Sequence, residues 1–216
     1  MYFKAFTLAP AVEANLINYL WPLLIVVLSP LIIPDYRLTA RHIFAAILGL
    51  TGAALIVTEG QLNIRTEFLP GYLLALGAAV TWAVYSLLTK RLPAFGTDSV
   101  GVFCLLSGIL SLLFFFLSGG STEEIQKLAT FDWLLISIAG IGPLGLAFYC
   151  WDGALKKGDP RILGSLAYLT PMLSTLNLLL FAGRNLTAAT IIAMVLIIGG
   201  AFLGSSSSNK KIMAVE

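Results

Sequence analysis

Long apolar stretches alternate with short polar segments along the whole chain. A helix needs ~20 mostly apolar residues to cross a bilayer, and an unpaired strand cannot satisfy its backbone polar groups there. The pattern therefore predicts an all-α integral membrane protein with about seven full transmembrane helices. The predicted spans cover residues 11–33, 42–58, 71–89, 99–117, 133–155, 162–182 and 187–204.

Composition agrees with this pattern and excludes several functional classes. Hydrophobic residues make up 58% of the chain and charged residues 11%, against ~25% charged in soluble domains. The mean hydropathy of +0.93 requires apolar surface that faces lipid. A net charge of +2 offers no basic surface for nucleic acid, so the bilayer is the expected environment. Cys104 and Cys150 have neither a CxxC neighbour nor a cluster of histidines, so neither a metal nor another cofactor is expected.

The positions of Lys and Arg predict the orientation, because cytoplasmic loops carry an excess of both. One alternating set of loops and the tail hold nine of them: Arg37, Arg41, Lys90, Arg91, Lys156, Lys157, Arg161, Lys210 and Lys211. The other set holds three: Arg65, Lys127 and Arg184. The first set should be cytoplasmic, which predicts a multi-pass inner-membrane protein with a cytoplasmic C-terminus.

The sequence also repeats itself at an offset of about 149 residues. Tyr19 to Pro22 (YLWP) matches Tyr168 to Pro171 (YLTP), and after a one-residue slip Gly52-Ala53 matches Gly200-Ala201. The loops that follow the two YLxP helices belong to opposite charge sets, so the two copies face opposite ways. Inverted repeats are typical of secondary transporters, whose substrate site lies near the bilayer midplane between the halves.

Three segments carry a resemblance to a known family: AVEANLINYLWP, PGYLLALGAAVTWAVYSLLTKR and SLAYLTPMLS. They resemble the EamA-type branch of the drug/metabolite transporter superfamily, and NYLWP with a preceding Glu is most similar to its aromatic amino acid exporters. The resemblance implies ten helices in two inverted five-helix repeats, which export small metabolites, most plausibly amino acids, by alternating access.

On this resemblance the chain divides into four parts. Residues 1–58 form a remnant of the first repeat (the end of helix 3, then helices 4 and 5), and residues 59–69 form an outer loop. Residues 70–204 form the second repeat, helices 6 to 10, and residues 205–216 form a cytoplasmic tail. MYFKAFTLAP is interpreted as the last two turns of a helix, so either further N-terminal helices or self-association is expected to complete the transporter.

Candidate substrate contacts in the first copy lie around its YLxP motif. Asn15, Asn18 and Pro22 share one helical face, flanked by Tyr19 and Trp21. The two amides could bind the amino and carboxyl groups of a substrate, or they could only join helices. Pro22 removes a backbone donor and can kink its helix.

The remaining candidates are aromatic residues within other predicted spans. Trp82 and Tyr85 lie on one stripe near mid-span, where they could stack on a ring or simply pack. Tyr149 shares a stripe with Gly142 and Asp152, and Tyr168 shares a face with Pro171, the predicted kink of the second copy. Substrate contact is the hypothesis for Tyr149 and Tyr168 as well.

Two other classes of function compete with transport. An intramembrane enzyme would need a Ser–His pair, paired Asp residues or HExxH, and the sequence has none of these, so no catalytic residue is assigned. A non-transporting chain that needs a partner is the other alternative.

Overall fold

The computed structural model describes residues 1–34, 36–58, 65–92, 96–181 and 187–205. These residues form helices and no strand, as the apolar pattern predicts. The α-helices are α1 (Tyr2–Leu8), α2 (Ala11–Asn18), α3 (Trp21–Ile32), α4 (Ala40–Thr58), α5 (Leu69–Arg91), α6 (Ser99–Leu117), α7 (Thr122–Gln126), α8 (Thr130–Ile141), α9 (Ala147–Lys157), α10 (Pro160–Ala167), α11 (Leu169–Phe181) and α12 (Ala188–Ser205).

Five helical segments within the described residues are long and apolar enough to cross a membrane: Ala11–Ile32, Ala40–Thr58, Thr66–Arg91, Ser99–Leu117 and Thr130–Lys157. Ala188–Gly204 is a shorter apolar helix. The predicted span 162–182 coincides with α10 and α11, which are separated at Tyr168. Lys210, Lys211 and Arg184, used in the orientation argument, lie outside the described residues. Five spans therefore meet the criterion directly, and the count of seven stays a prediction.

The chain forms two compact units, one from Met1–Arg91 with Gly158–Glu216 and one from Leu92–Lys157. In the first unit α4 and α12 pack closely through glycines. A Cβ added to Gly52 would lie 2.7 Å from the carbonyl oxygen of Ala193, and one added to Gly200 would lie 2.7 Å from that of Ala45. An offset of 148 carries Gly52 to Gly200 and Ala45 to Ala193, so the two contacts are reciprocal. Small residues at such positions let helix backbones approach within a membrane.

Two helices of the first unit are broken at matching points. α2 ends at Asn18 and α3 begins at Trp21, while α10 ends at Ala167 and α11 begins at Leu169. Each break comes three residues before a proline, because neither Pro22 nor Pro171 can supply the N–H that a continuous helix needs. The broken helices also contact one another: a Cβ on Gly164 would lie 2.9 Å from the carbonyl oxygen of Pro22.

The segment between α3 and α4 is tied to the start of α10. Arg161 donates from Nη1 to the carbonyl oxygen of Arg37 at 2.6 Å, and its guanidinium lies 4.8 Å from the ring centroid of Tyr36. Arg161 also donates to Asp159 Oδ1 from Nε at 3.0 Å. Asp159 in turn accepts the Arg161 backbone N–H at 2.9 Å, which makes it the N-cap of α10.

The second unit contains a π-helical turn, Gly142–Leu146, between α8 and α9. Pro143 lacks an N–H, and the wider turn accommodates the lost hydrogen bond. One extra residue rotates the following helix by roughly 100°, so Gly142 does not share a straight face with Tyr149 as the predicted stripe assumed. Tyr149 and Asp152 both follow the turn, on α9, and Asp152 pairs with Lys156, with 2.6 Å between Oδ2 and Nζ.

Candidate functional site

Three aromatic side chains from α3 and α5 come together in the first unit. The ring centroids of Trp21 and Trp82 are 6.2 Å apart and nearly perpendicular, at 87°. Those of Trp82 and Tyr85 are 5.5 Å apart, at 34°. All three side chains are half-buried, so each keeps some surface available to a further group. We call Trp21, Trp82 and Tyr85 the ring cluster.

The ring cluster follows from local helix geometry. Trp82 and Tyr85 are three residues apart on α5, so they lie on one face of that helix. Trp21 is the first residue of α3, immediately after the break that Pro22 imposes. Edge-to-face and offset aromatic pairs at such distances contribute ~0.5–1.5 kcal/mol beyond the burial of their area. The sequence predicted these three residues as substrate contacts, and the structure brings them together.

The two predicted amides differ in their surroundings. Asn15 accepts a hydrogen bond from the Tyr2 hydroxyl, with 2.7 Å between the oxygens. That bond joins α1 to α2, which is the role of joining helices that the sequence left open. Asn18 is half-buried at the last position of α2, next to the break. Its substrate contact stays a prediction, and we carry it forward as the polar element beside the ring cluster.

Tyr168 was predicted as a substrate contact, but its side chain lies in the protein interior. Its side chain is fully buried, and its hydroxyl donates to the carbonyl oxygen of Tyr19 at 3.2 Å. The phenol therefore pairs with a backbone carbonyl at the break in the first helix. Tyr168 has no surface for a solute in this conformation, and it supports the break that carries Tyr19.

Tyr149 lies in the second unit. Its hydroxyl lies against Gly101 of α6, where a Cβ would meet it. Tyr149 is 37% exposed. A substrate contact for Tyr149 stays a prediction.

Two residues that the sequence interpretation missed contribute to this region. Tyr2 holds Asn15, and Gly49 of α4 makes room for the Tyr168 ring: an added Cβ would lie 2.8 Å from Cγ of that ring. No local pattern marks either residue, because their partners lie 13 and 119 residues away in the chain. Within the described ranges no group of three His, Cys, Asp or Glu side chains could hold a metal ion.

The ion pair of Asp159 and Arg161 lies beyond the predicted spans of this unit, whereas Glu13 lies within the first of them. Burial raises the pKa of the Asp159 carboxyl, but hydrogen bonds from the side chain and backbone of Arg161 outweigh it and hold that pKa below its ordinary value. Asp159 is therefore ionised at neutral pH and paired with Arg161. The two charges fix the start of α10, with no role beside the ring cluster.

A family model described as the EamA-like transporter family matches residues 69–206. The aromatic amino acid exporter YddG of Ancylobacter novellus is 42% identical over 202 residues, covering 93% of this chain and 69% of that protein. YddG of Escherichia coli is 28% identical, covering 76% of this chain and 57% of its own length. The chain belongs to the EamA-like transporter family, which confirms the resemblance noted in its sequence.

Two further comparisons agree. A crystal structure with 40% sequence identity superimposes with a TM-score of 0.86, covering 94% of this chain and 71% of that one. A probable amino-acid metabolite efflux pump of Escherichia coli is 23% identical, covering 77% of this chain and 58% of that protein. The chain thus spans between 57% and 71% of the length of these relatives.

Proposed function

We propose that this protein exports small metabolites, in particular amino acids including aromatic ones, across the inner membrane by alternating access. It acts as a transporter, and its chemistry is binding and release with no covalent step. The observation that carries the proposal is the ring cluster, because three half-buried aromatic rings converge beside a break in a membrane helix. Relatives named as aromatic amino acid exporters support the same substrate class.

The break supplies the polar half of the site. Transporters bind substrates at mid-membrane beside such breaks in their helices. Asn18 is the last residue of the helix before the break, and Trp21 is the first residue of the helix after it. An amino acid would place its ring against Trp21 and Trp82, and its amino and carboxyl groups toward the Asn18 side of the break.

The reciprocal glycine contacts support two inverted repeats. In a two-fold interface, residue i contacts j' and residue j contacts i'. The Gly52–Ala193 and Gly200–Ala45 contacts have this form at an offset of 148. The two helix breaks add a second correspondence, at an offset of 149. Two such halves around a shared site are the architecture that alternating access requires.

Competitive efflux from loaded cells tests the substrate class. Trp82→Ala removes the central ring, so export of Phe, Trp and Tyr should fall about 2- to 12-fold more than export of Thr or Ala. Trp133→Ala is the matched control, since it removes an indole of the same size that is 48% exposed and is not a member of the ring cluster. Expression of each variant is matched by quantitative blotting. Equal losses for aromatic and small substrates would show that Trp82 packs the helices without selecting the cargo.

Reporter fusions test the proposed orientation and, with it, the inversion of the repeats. Fusions after Arg91 and Lys211 should report a cytoplasmic location, while a fusion after Gly120 should report the outer side. The loop charges support this assignment through the excess of Lys and Arg in one set. A cytoplasmic signal at Gly120 would overturn the orientation.

The second candidate, a chain that transports only with further helices or a second copy, is tested separately. Residues 1–216 are reconstituted in liposomes alone and together with any in-frame upstream segment. If further helices are needed, we expect solute flux only in liposomes that also contain the added segment. Saturable flux from residues 1–216 alone would contradict the need for further helices, and cross-linked dimers in that sample would then identify self-association.

A further inference from the structure

Tyr19 and Tyr168 are related by the offset of the repeat, and they are also direct partners. The Tyr168 hydroxyl donates to the carbonyl oxygen of Tyr19 across a separation of 149 residues, the same offset that aligns YLWP with YLTP. A contact between two equivalent positions must lie on the two-fold axis that relates the halves. The hydrogen bond nevertheless has a direction, because one tyrosine donates and the other accepts.

The two tyrosines occupy different environments in this conformation. Tyr168 is fully buried, whereas Tyr19 is half-buried. The Tyr168 hydroxyl pairs with the Tyr19 carbonyl, which lies at the break in the first helix. The regular helical pattern is present again at Leu24, whose N–H bonds the carbonyl oxygen of Leu20 at 2.9 Å. A buried backbone group without a partner is costly in a membrane, so this hydroxyl stabilises the break.

We propose that Tyr19 and Tyr168 form an exchangeable pair that sets which of two transport states is populated. In the present state the Tyr168 hydroxyl fills the break at Tyr19. In the opposite state the halves exchange conformations, and the Tyr19 hydroxyl fills the break at Tyr168. This inference rests on the proposed inverted repeats, and it assigns both tyrosines a positioning role around the solute site.

The sequence biases the exchange toward the present state. The Tyr168 ring lies over Gly49, where an added Cβ would be 2.8 Å from the ring carbon Cγ and 3.1 Å from Cβ. An offset of 148 carries Gly49 to Ile197, which is fully buried in one cluster with Tyr168 and Ala53. In the opposite state the Tyr19 ring would have to pack on an isoleucine, without the space that a glycine leaves.

The distance between the segment after α3 and the start of α10 is the proposed readout of the state. In the present state Arg161 joins the two segments by donating to the carbonyl oxygen of Arg37. Spin labels at Arg37→Cys and Gly158→Cys, in a Cys104→Ser/Cys150→Ser background, would give a short distance in the present state and a longer one in the opposite state. Pulsed electron resonance on the full-length protein in nanodiscs then measures the ratio of the two populations.

Tyr168→Phe should lower the ratio of short to long distances, and Tyr19→Phe should raise it, each by about 2- to 12-fold, because each variant removes one hydrogen bond from one state. The double variant should return near the wild-type ratio. Gly49→Ala should shift the ratio in the direction of Tyr168→Phe, whereas Gly199→Ala, whose Cβ would meet open space, should leave it unchanged. The thermal midpoint of each variant is recorded in parallel.

Shifts in the same direction for both tyrosine variants, or no shift, would overturn the exchange, because a merely structural pair would not respond with opposite signs. Efflux of amino acids by the same variants separates this inference from the proposed function. Opposite shifts without any amino acid efflux would support the exchange and overturn the substrate assignment. Efflux without opposite shifts would overturn the exchange and leave the exporter in place.

Discussion

The two broken helices of the first unit share the position of their break and differ in how that break is supported. At the break of Ala11–Ile32, Tyr19 is half-buried and offers a backbone carbonyl oxygen to a residue from the other helix. At the break between α10 and α11, Tyr168 is fully buried and supplies the hydroxyl. The helix that contains Tyr168 therefore stabilises the break in the helix that contains Tyr19.

The two broken helices also differ at their starts, because a side chain caps the second helix and none caps the first. α10 begins at a charged N-cap, Asp159, which its neighbour Arg161 holds in place. α2 begins after Pro10, which provides no side-chain cap. An offset of 149 carries Pro10 to Asp159, so these are equivalent positions with different chemistry. The polar and aromatic groups of the candidate site accompany the less fixed helix, where a bound solute could supply what the chain does not.

The largest expected effect comes from the α4–α12 contact, where equivalent positions behave alike. Gly200→Val should lower the free energy of unfolding by about 3 kcal/mol or more, because its Cβ would meet the Ala45 carbonyl oxygen at 2.7 Å and the Gly49 nitrogen at 3.0 Å. Gly52→Val should cost a similar amount. Thermal midpoints in detergent measure both effects.

Gly199→Val is the matched control, because a Cβ at this neighbouring position meets nothing within 4 Å. Gly199→Val and Gly200→Val change helix propensity equally. The difference between their thermal midpoints therefore measures the cost of the contact at Gly200. Equal midpoints for Gly199→Val and Gly200→Val would contradict the close approach of α4 and α12. A large effect of Gly200→Val without one of Gly52→Val would contradict the reciprocity of the two contacts.

An intermediate effect is expected at the start of α10. Asp159→Ala removes the N-cap and should cost about 0.5–2 kcal/mol, whereas Asp159→Asn keeps a capping side chain and removes only the charge. The pKa of Asp159 is lowered in the folded state, so its charge stabilises the fold above the unfolded pKa of about 4 and this contribution is lost as pH falls through the folded pKa. Midpoints measured between pH 6 and pH 3 should therefore fall for the wild type more than for Asp159→Asn.

If the thermal midpoints of the wild type and of Asp159→Asn fell equally between pH 6 and pH 3, another carboxylate would cause the acid response. Asp132 is a suitable comparison, since it caps the start of α8 by accepting the Ala129 N–H at 2.8 Å. Asp132→Asn should leave the difference between the wild type and Asp159→Asn unchanged.

The course of the helices could be predicted from the sequence, because the length of an apolar stretch is a local property. The separate roles of Tyr19 and Tyr168 could not, because both lie in the same YLxP motif. Their difference arises from Gly49, 119 positions before Tyr168, which leaves space for one ring only. The π-helical turn at Pro143 was also missed, although Gly-Pro within an apolar helix is a recognised signal for such an irregularity.

The ring cluster was predictable for a different reason. Trp82 and Tyr85 are three residues apart on one helix, so their shared face follows from helical periodicity. The contact of Trp21 with Trp82 depends on tertiary structure, which the helical periodicity of either segment does not contain. The polar residues were harder to interpret, because an amide can join two helices or bind a solute without any change in sequence pattern.

The smallest expected effect distinguishes these two roles of an amide. Asn15 has its counterpart in Gly164 at an offset of 149, so this position of the repeat carries an amide in the first copy and a glycine in the second. Tyr2→Phe and Asn15→Ala should each lower the free energy of unfolding by about 0.5–1.5 kcal/mol, because each removes the bond between the Tyr2 hydroxyl and Asn15 Oδ1. The double variant should cost no more than the larger single change, since the bond is lost only once.

Asn18→Leu completes the comparison, because Asn18 lies beside the break itself. It should leave stability within about 0.5 kcal/mol of the wild type and weaken efflux of every amino acid alike, since it removes a contact to the amino and carboxyl groups that all of them share. Asn15→Ala and Tyr2→Phe should affect efflux equally, because both act through one structural bond. A loss of efflux in Asn15→Ala that Tyr2→Phe does not reproduce would instead assign Asn15 to the solute, and the polar half of the site would then extend one turn along α2 from Asn18.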